Sequence, residues 1–266
     1  MGIPFVILVH NLYAWQTYSS YTAVGGRLPA ALLRLATRRS ARSAAAVLAV
    51  SKACADRVSD KVLVTGVVHN GCSLEEAARS SGDGPLSDVP MVVIIVANIA
   101  PHKGIEVLID GVAQAIAMGH SVELQIYGTK SDPVYVRRLE ALAQAKLGKS
   151  PFRGPIYGTD LVDAYRACHV LAVGSSFETF CNPLVEGMRS GCVVVAPESR
   201  LVQEICGDVA IGYNEGNAGS FALALEAAGK DWGERSRRGV ERSRAFTWAG
   251  TAEKTIGYVR DTVKHK

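Results

Sequence analysis

Short runs of Val and Ile alternate with longer amphipathic stretches through most of this chain, and that alternation restricts the fold more than any other feature. Met91–Val96 and Val122–Tyr127 read as strands, each followed by a helical stretch at Gly104–Met118 and Pro133–Leu147. The pattern continues with strands at Phe152–Tyr157, Val170–Val173, Val193–Ala196 and Ala210–Tyr213, and helices at Asp160–Ala167 and Pro183–Ser190. Strands apolar on both faces and separated by helices predict a parallel sheet covered on both sides. An earlier set of the same kind has strands at Phe5–Val9, Ala46–Val50 and Val62–Val68, a helical stretch at Leu28–Ala45, and a helix capped by Ser51. Between the two sets, Arg79–Pro90 is rich in Ser, Gly, Asp and Pro, the composition of a linker. The predicted class is therefore α/β, with two Rossmann-like lobes.

Of the 266 residues, 48% are hydrophobic and 20% charged, enough to bury two cores. Six cysteines form no C-x-x-C pair and read as reduced, mostly buried thiols, with a catalytic thiol at Cys181 the less favoured reading. The apolar run at Ile3–Val9 is far shorter than the roughly 20 residues that cross a bilayer, and the chain is expected to be cytoplasmic. The first fifty residues carry five arginines (Arg27, Arg34, Arg38, Arg39, Arg42) and no acid, whereas the remaining 216 sum to −1. This face is either a solvated helix surface or a peripheral contact with anionic membrane or acceptor. No nucleic-acid partner is indicated.

In an open α/β sheet the ligand lies beyond the carboxyl ends of the strands. The loops after Val96, Tyr127, Tyr157 and Val173 are thus the ones that face chemistry, and Asn98 and Gly128 sit on the first two. The richest segment is Ser175–Met188, in which Glu178 and Glu186 are eight residues apart. Pro183 suits a first helical turn. The amides of Phe180, Cys181, Asn182 and Leu184 are expected to lie open at a helix N-terminus, a site for a diphosphate. Glu186, one turn further in, is placed to accept hydrogen bonds from a ribose. Helix capping by Glu178 and a surface position for Glu186 are the competing readings. A second loop, Val96–Gly104, ends in Lys103–Gly104 before a helix. A lysine there opposes the helix dipole, which points to an anionic partner; an ordinary surface lysine is the competing reading.

These two loops together, a strand-Lys-Gly-helix segment and an E-x7-E segment about seventy-five residues later, resemble the GT4 group of GT-B retaining glycosyltransferases. The resemblance extends to Ala46–Ser51, to Val68-His69-Asn70-Gly71, to Phe152-Arg153-Gly154 and to Phe246-Thr247-Trp248, and covers roughly residues 5 to 260. It implies a donor nucleoside-diphosphate sugar, UDP- or GDP-linked, and transfer with retention to a hydroxyl of a glycan, lipid-linked or small-molecule acceptor. No metal or other cofactor is required. Catalytic roles fall to Glu178 on the sugar hydroxyls, Lys103 on the leaving diphosphate, and His10 beside the donor sugar. Donor binding falls to Glu186, Asn98, Lys103, Gly128, Ile156, Phe180, Cys181, Asn182 and Leu184, with Ile156 meeting the base through its backbone.

The implied domains are 1–85 (an acceptor-side lobe), 86–247 (a nucleotide-sugar-binding lobe) and 248–266 (a C-terminal helix packing back toward the first). Two departures stand out. Asn98 replaces an arginine that family members often carry five residues before the lysine. The first lobe is short, so the N-terminal half is incomplete. A fragment or misplaced start, a half completed by a second subunit or homodimer, and a nucleotide-sugar-binding remnant without turnover are all open at this point.

Overall fold

The computed structural model describes residues 6–9, 35, 39–59, 62–76, 84–85, 89–130, 132–175 and 177–264. The chain divides into two compact units. One comprises Met1–Cys72, Glu178–Phe180 and Phe246–Lys266; the other comprises Ser73–Phe177 and Cys181–Ala245.

In the first unit, strands β1 (Val6–Val9), β2 (Ala46–Ala49) and β3 (Gly66–Val67) form a parallel sheet in that order. Val6 lies opposite Ala46, and Leu48 opposite Gly66. Helix α1 (Lys52–Val58) starts at Ser51, whose Oγ accepts from the Cys54 N–H at 2.9 Å. That hydroxyl also donates to the Thr179 carbonyl, tying the Glu178–Phe180 segment to this unit. The run Val62–Val68 yields a strand of only two residues. Val62 N–H closes the end of α1 by donating to the Val58 carbonyl at 2.9 Å, and Leu63 is 86% exposed. The apolar run is thus partly spent on finishing a helix.

The second unit holds a six-stranded sheet: β4 (Met91–Val96), β5 (Val122–Tyr127), β6 (Phe152–Gly154), β7 (Val170–Ala172), β8 (Val193–Pro197) and β9 (Ile211–Tyr213). All neighbours are parallel and the order is β6-β5-β4-β7-β8-β9. Numbered within the unit this is 3-2-1-4-5-6, the dinucleotide-binding order, which reverses between β4 and β7. β6 stops at Gly154, short of the expected Tyr157, because Pro155 has no N–H to continue the ladder.

Helices α2 (Ile105–Ala117), α3 (Pro133–Leu147) and α7 (Ala218–Lys230) cover one face of the sheet. Their apolar stripes meet Val93, Ile95, Leu124, Ile126, Val170 and Val193 in one continuous core. Helices α4 (Gly158–Ala167), α5 (Asn182–Arg189) and α8 (Trp232–Ser243) lie on the other, with α6 (Arg200–Cys206) beside α5 and α8. Cys54, Cys72, Cys168, Cys192 and Cys206 are buried and Cys181 is half-buried, and none of the six is in a disulfide. Burial pushes the Cys206 thiol up to about 12. Helix α9 (Trp248–Lys264) belongs to the first unit. There the Thr251 hydroxyl donates to the His69 carbonyl at 2.8 Å, and Phe246 stacks edge-on against Phe180 with centroids 5.9 Å apart. No helix among the described residues is long and apolar enough to cross a membrane.

Candidate functional site at the strand-order reversal

A parallel sheet whose order reverses leaves a crevice at the carboxyl ends of the two strands flanking the reversal. Here those strands are β4 and β7, and both chemistry-bearing loops leave from them. After β4 the chain runs through Ala97–Ala100 into a tight 3-10 turn, Pro101–Lys103, where the Lys103 N–H donates to Ala100 at 2.9 Å. Gly104 then adopts φ 59° and starts α2.

That glycine is required by its neighbour. A methyl on Gly104 would lie 2.6 Å from the Gly174 carbonyl oxygen, and a methyl on Gly174 would lie 2.3 Å from the Lys103 carbonyl oxygen. The two glycines press backbone against backbone, so the Lys103 turn is seated on the loop that leaves β7. Gly128 does the same one strand over, with φ 153° and the Ala97 oxygen only 1.7 Å from where a methyl would stand. Its N–H donates to Gly154 at 2.9 Å, which links the loops after β5 and β6.

From β7 the chain passes Gly174 and the buried Ser175, whose Oγ accepts from the Phe177 N–H at 3.2 Å. It leaves this unit for Glu178–Phe180 and re-enters at Cys181, the N-cap of α5. Gly187 lets α5 lie close on β7, since a methyl there would reach within 2.6 Å of Leu171 Cδ2. The Leu184 amide departs from the open donor expected of it. It donates to the Cys181 carbonyl at 2.9 Å, a bond from i to i−3 that closes the first turn of the helix. Pro183 has no N–H, so the helix start presents fewer amides than the spacing alone implies.

Glu186 is half-buried on α5 and accepts from the Tyr165 hydroxyl at 2.8 Å through Oε2. Burial holds its carboxyl above the usual carboxylate range, partly offset by the Tyr165 hydrogen bond. Tyr165 itself is fully buried on α4, and burial together with the Glu186 charge raises its phenol well above the ordinary value. Glu186 is therefore not an ordinary surface side chain. A desolvated carboxylate at the carboxyl edge of such a sheet is a candidate ligand group.

The architecture thus gathers Asn98, Lys103, Gly128, Ile156, Cys181, Asn182, Leu184 and Glu186 along the carboxyl edge of one sheet. Asn98 and Asn182 are exposed, and Lys103 and Ile156 half-buried. Comparison with known proteins gives this edge its context. The family described as glycosyl transferases group 1 matches residues 90–231, more than half of the chain. The chain belongs to that family.

Relatives of this group 1 glycosyltransferase chain include D-inositol 3-phosphate glycosyltransferase of Corynebacterium glutamicum, 29% identical over 66% of this chain and 44% of the relative. Another is the GDP-mannose-dependent alpha-mannosyltransferase of Mycolicibacterium smegmatis, 29% identical over 63% of this chain and 42% of the relative. The chain thus spans less than half the length of these curated relatives. Among solved structures, sucrose-phosphate synthase (tll1590) from Thermosynechococcus elongatus superposes with a TM-score of 0.75 at 18% identity, over 100% of this chain and 69% of that one. Anabaena Alr3699/HepE, solved with UDP and glucose, gives a TM-score of 0.74 at 20% identity, over 97% and 72%. These likenesses identify the fold as GT-B-like α/β with parallel sheets.

Of the remaining expected site residues, two belong to the first unit and one lies outside the described residues. Glu178 and Phe180 belong to the first unit, where Phe180 is 2% exposed and packs its ring against Phe246 and His69. His10 lies outside the described residues, as do Arg27, Arg34 and Arg38, while Arg39 and Arg42 are exposed. Sequence reasoning missed Tyr165 and Gly174.

Cys181 carries a further signature. Among the described residues it is the only non-glycine with positive φ, at 61°. A side chain in this left-handed region costs about 1–2 kcal/mol, and such strain concentrates at functional turns. Cys181→Gly is expected to stabilise the protein by up to about 1 kcal/mol, once the greater unfolded-state freedom of glycine is counted. Cys181→Val should destabilise it, and urea melts of the two variants check the sign.

Proposed function

We propose that this chain transfers a sugar from a nucleoside diphosphate to a hydroxyl acceptor with retention of configuration. The observation that carries the reading is the seating of the Lys103 turn on the Gly174 loop, at the point where the sheet order reverses. A charged lysine and a helix start at one carboxyl edge suit a diphosphate. The half-buried Glu186 suits the ribose, and the Gly128 and Ile156 loops suit the base.

In this reading a leaving diphosphate gathers negative charge as the glycosidic bond breaks, and Lys103 with the α5 N-terminus stabilises it. Glu178 and Glu186 hold hydroxyls and do not form the acid/base pair of a glycosidase. The departing diphosphate takes the acceptor proton, which places attack on the same face as the leaving group. The roles of Glu178, Phe180 and His10 rest on the sequence motif alone. The names of the relatives favour UDP- or GDP-sugars as donors. The proposed domains are 1–85, 86–247 and 248–266, the second holding the nucleotide.

The test is calorimetric titration with UDP, GDP and ADP, followed by assays for donor hydrolysis and transfer. Binding of one nucleotide is expected, and Glu186→Gln should weaken it about tenfold or more. The same substitution should raise thermal stability at neutral pH. With its native pKa above the unfolded one, Glu186 binds more protons folded than unfolded, so its contribution to stability declines as pH rises from the weakly acidic range. Glutamine removes that cost. Failure of all three nucleotides to bind would overturn the donor site, and binding without turnover would overturn transfer by the chain on its own.

A further inference from the structure

The buried Tyr165 hydroxyl donates to Oε2 of Glu186, at 2.8 Å. Tyr165 is 0% exposed, whereas Glu186 is only half-buried, so the phenol reaches the carboxylate from the protein side. The base of the tyrosine is held as well. Its carbonyl accepts from the Cys168 N–H at 3.4 Å, at the end of α4, and from the Cys192 thiol at 3.3 Å. Cys168 and Cys192 are themselves buried side by side, with Sγ atoms 2.7 Å apart. A tyrosine anchored in this way has little freedom to follow a moving partner.

Glutamate has three side-chain torsions, and one that is half-exposed on a helix ordinarily samples several rotamers. Held by one oxygen, it keeps the other in a fixed direction. We propose that Tyr165 is a positioning residue: it fixes the Glu186 carboxylate through Oε2 so that Oε1 is preset to accept a ribose hydroxyl of the donor nucleotide. This rests on the reading of Glu186 as a ribose acceptor. Drawing a carboxylate inward is costly unless ligand or protein compensates it. Presetting its geometry lowers the ordering cost when the ligand arrives.

Discrimination between ribose and deoxyribose tests this independently of general stability. Affinities for the preferred nucleoside diphosphate and for its 2′-deoxy and 3′-deoxy forms are measured by calorimetry for wild type, Tyr165→Phe and Glu186→Gln. Wild type should prefer the ribonucleotide over at least one deoxy form by about tenfold or more. Tyr165→Phe should reduce that preference severalfold, chiefly through weaker ribonucleotide binding, with affinity for the deoxy form nearly unchanged. Retained deoxynucleotide binding also shows that the variant is folded.

Equal weakening toward both forms would make Tyr165 merely structural and overturn the proposal. An unchanged preference in Tyr165→Phe, together with a lost preference in Glu186→Gln, would overturn it too while leaving the ribose site standing. An unchanged preference in Glu186→Gln would instead overturn the underlying assignment of Glu186.

Discussion

Lys103→Ala is expected to lower turnover by about 10²–10³-fold, a loss of roughly 2.7–4 kcal/mol in transition-state stabilisation. The charge that must be met grows as the sugar leaves, so it is larger in the transition state than in the bound donor. An interaction that strengthens along the reaction lowers turnover more than it lowers binding. Nucleotide affinity should therefore fall by about tenfold at most, while the rate falls much further. A helix N-terminus contributes roughly half a unit charge, and here the Leu184 amide is already engaged with Cys181. Asn98 brings no charge to the loop after β4. The burden on Lys103 is correspondingly greater. Lys103→Arg keeps the charge on a planar, longer group and should restore only part of the rate. Parallel measurement of turnover and nucleotide affinity checks this. Equal losses in both would show that the lysine binds the ground state and the transition state alike.

How much of this site was legible in advance depends on where each constraint originates. Met91–Val96, Val122–Tyr127 and Pro133–Leu147 match the expected bounds because their signals are local. The Val and Ile run of Met91–Val96 and the alternation of Val122, Leu124 and Ile126 with half-buried neighbours write strands directly into the chain, and Asp132 followed by Pro133 writes a helix start. Lys103–Gly104 was legible for the same reason, since it lies at a junction that local chemistry marks, and the place of Glu186 followed from the helix that Pro183 opens one turn earlier. What was hidden is tertiary. Tyr165 is the one buried residue of α4 and reads as core, and nothing in its own segment shows that its hydroxyl meets a carboxylate 21 positions later. Gly174 looks like loop filler until Gly104, seventy residues earlier, is found against it. The open amide assigned to Leu184 failed on a detail of the first helical turn, where an i−3 bond replaces exposure. Helix start signals locate a helix but leave that choice unresolved.

Phe221→Ala should remove about 3–5 kcal/mol of stability, a large share of the roughly 5–15 kcal/mol that holds a typical domain together. Phe221 is fully buried on α7, and its ring meets Tyr213 edge-on at 5.2 Å and 63°. Across from it α2 has Gly111, where a methyl would stand 2.5 Å from Phe221 Cδ1, so the ring fills a recess that the glycine opens. Surroundings shaped this tightly cannot collapse into the void, which puts the loss toward the upper end of the range.

The damage should also reach the candidate site by a definite route. Tyr213 donates its hydroxyl to the Val173 carbonyl at 2.9 Å, one residue before the Gly174 that seats the Lys103 turn. Freed of its ring partner, Tyr213 holds that carbonyl less firmly, and the loop loosens from behind. Phe221→Leu keeps most of the volume and should recover most of the stability. Tyr213→Phe removes only the hydroxyl, and leaving the Val173 carbonyl without its donor should cost about 1–3 kcal/mol. Urea melts of the three variants, each paired with a nucleotide titration, separate the two effects. Phe221→Ala should lower both stability and affinity, whereas Tyr213→Phe should cost less stability and still weaken nucleotide binding. Full affinity in Tyr213→Phe would break the link from this core to the Lys103 turn.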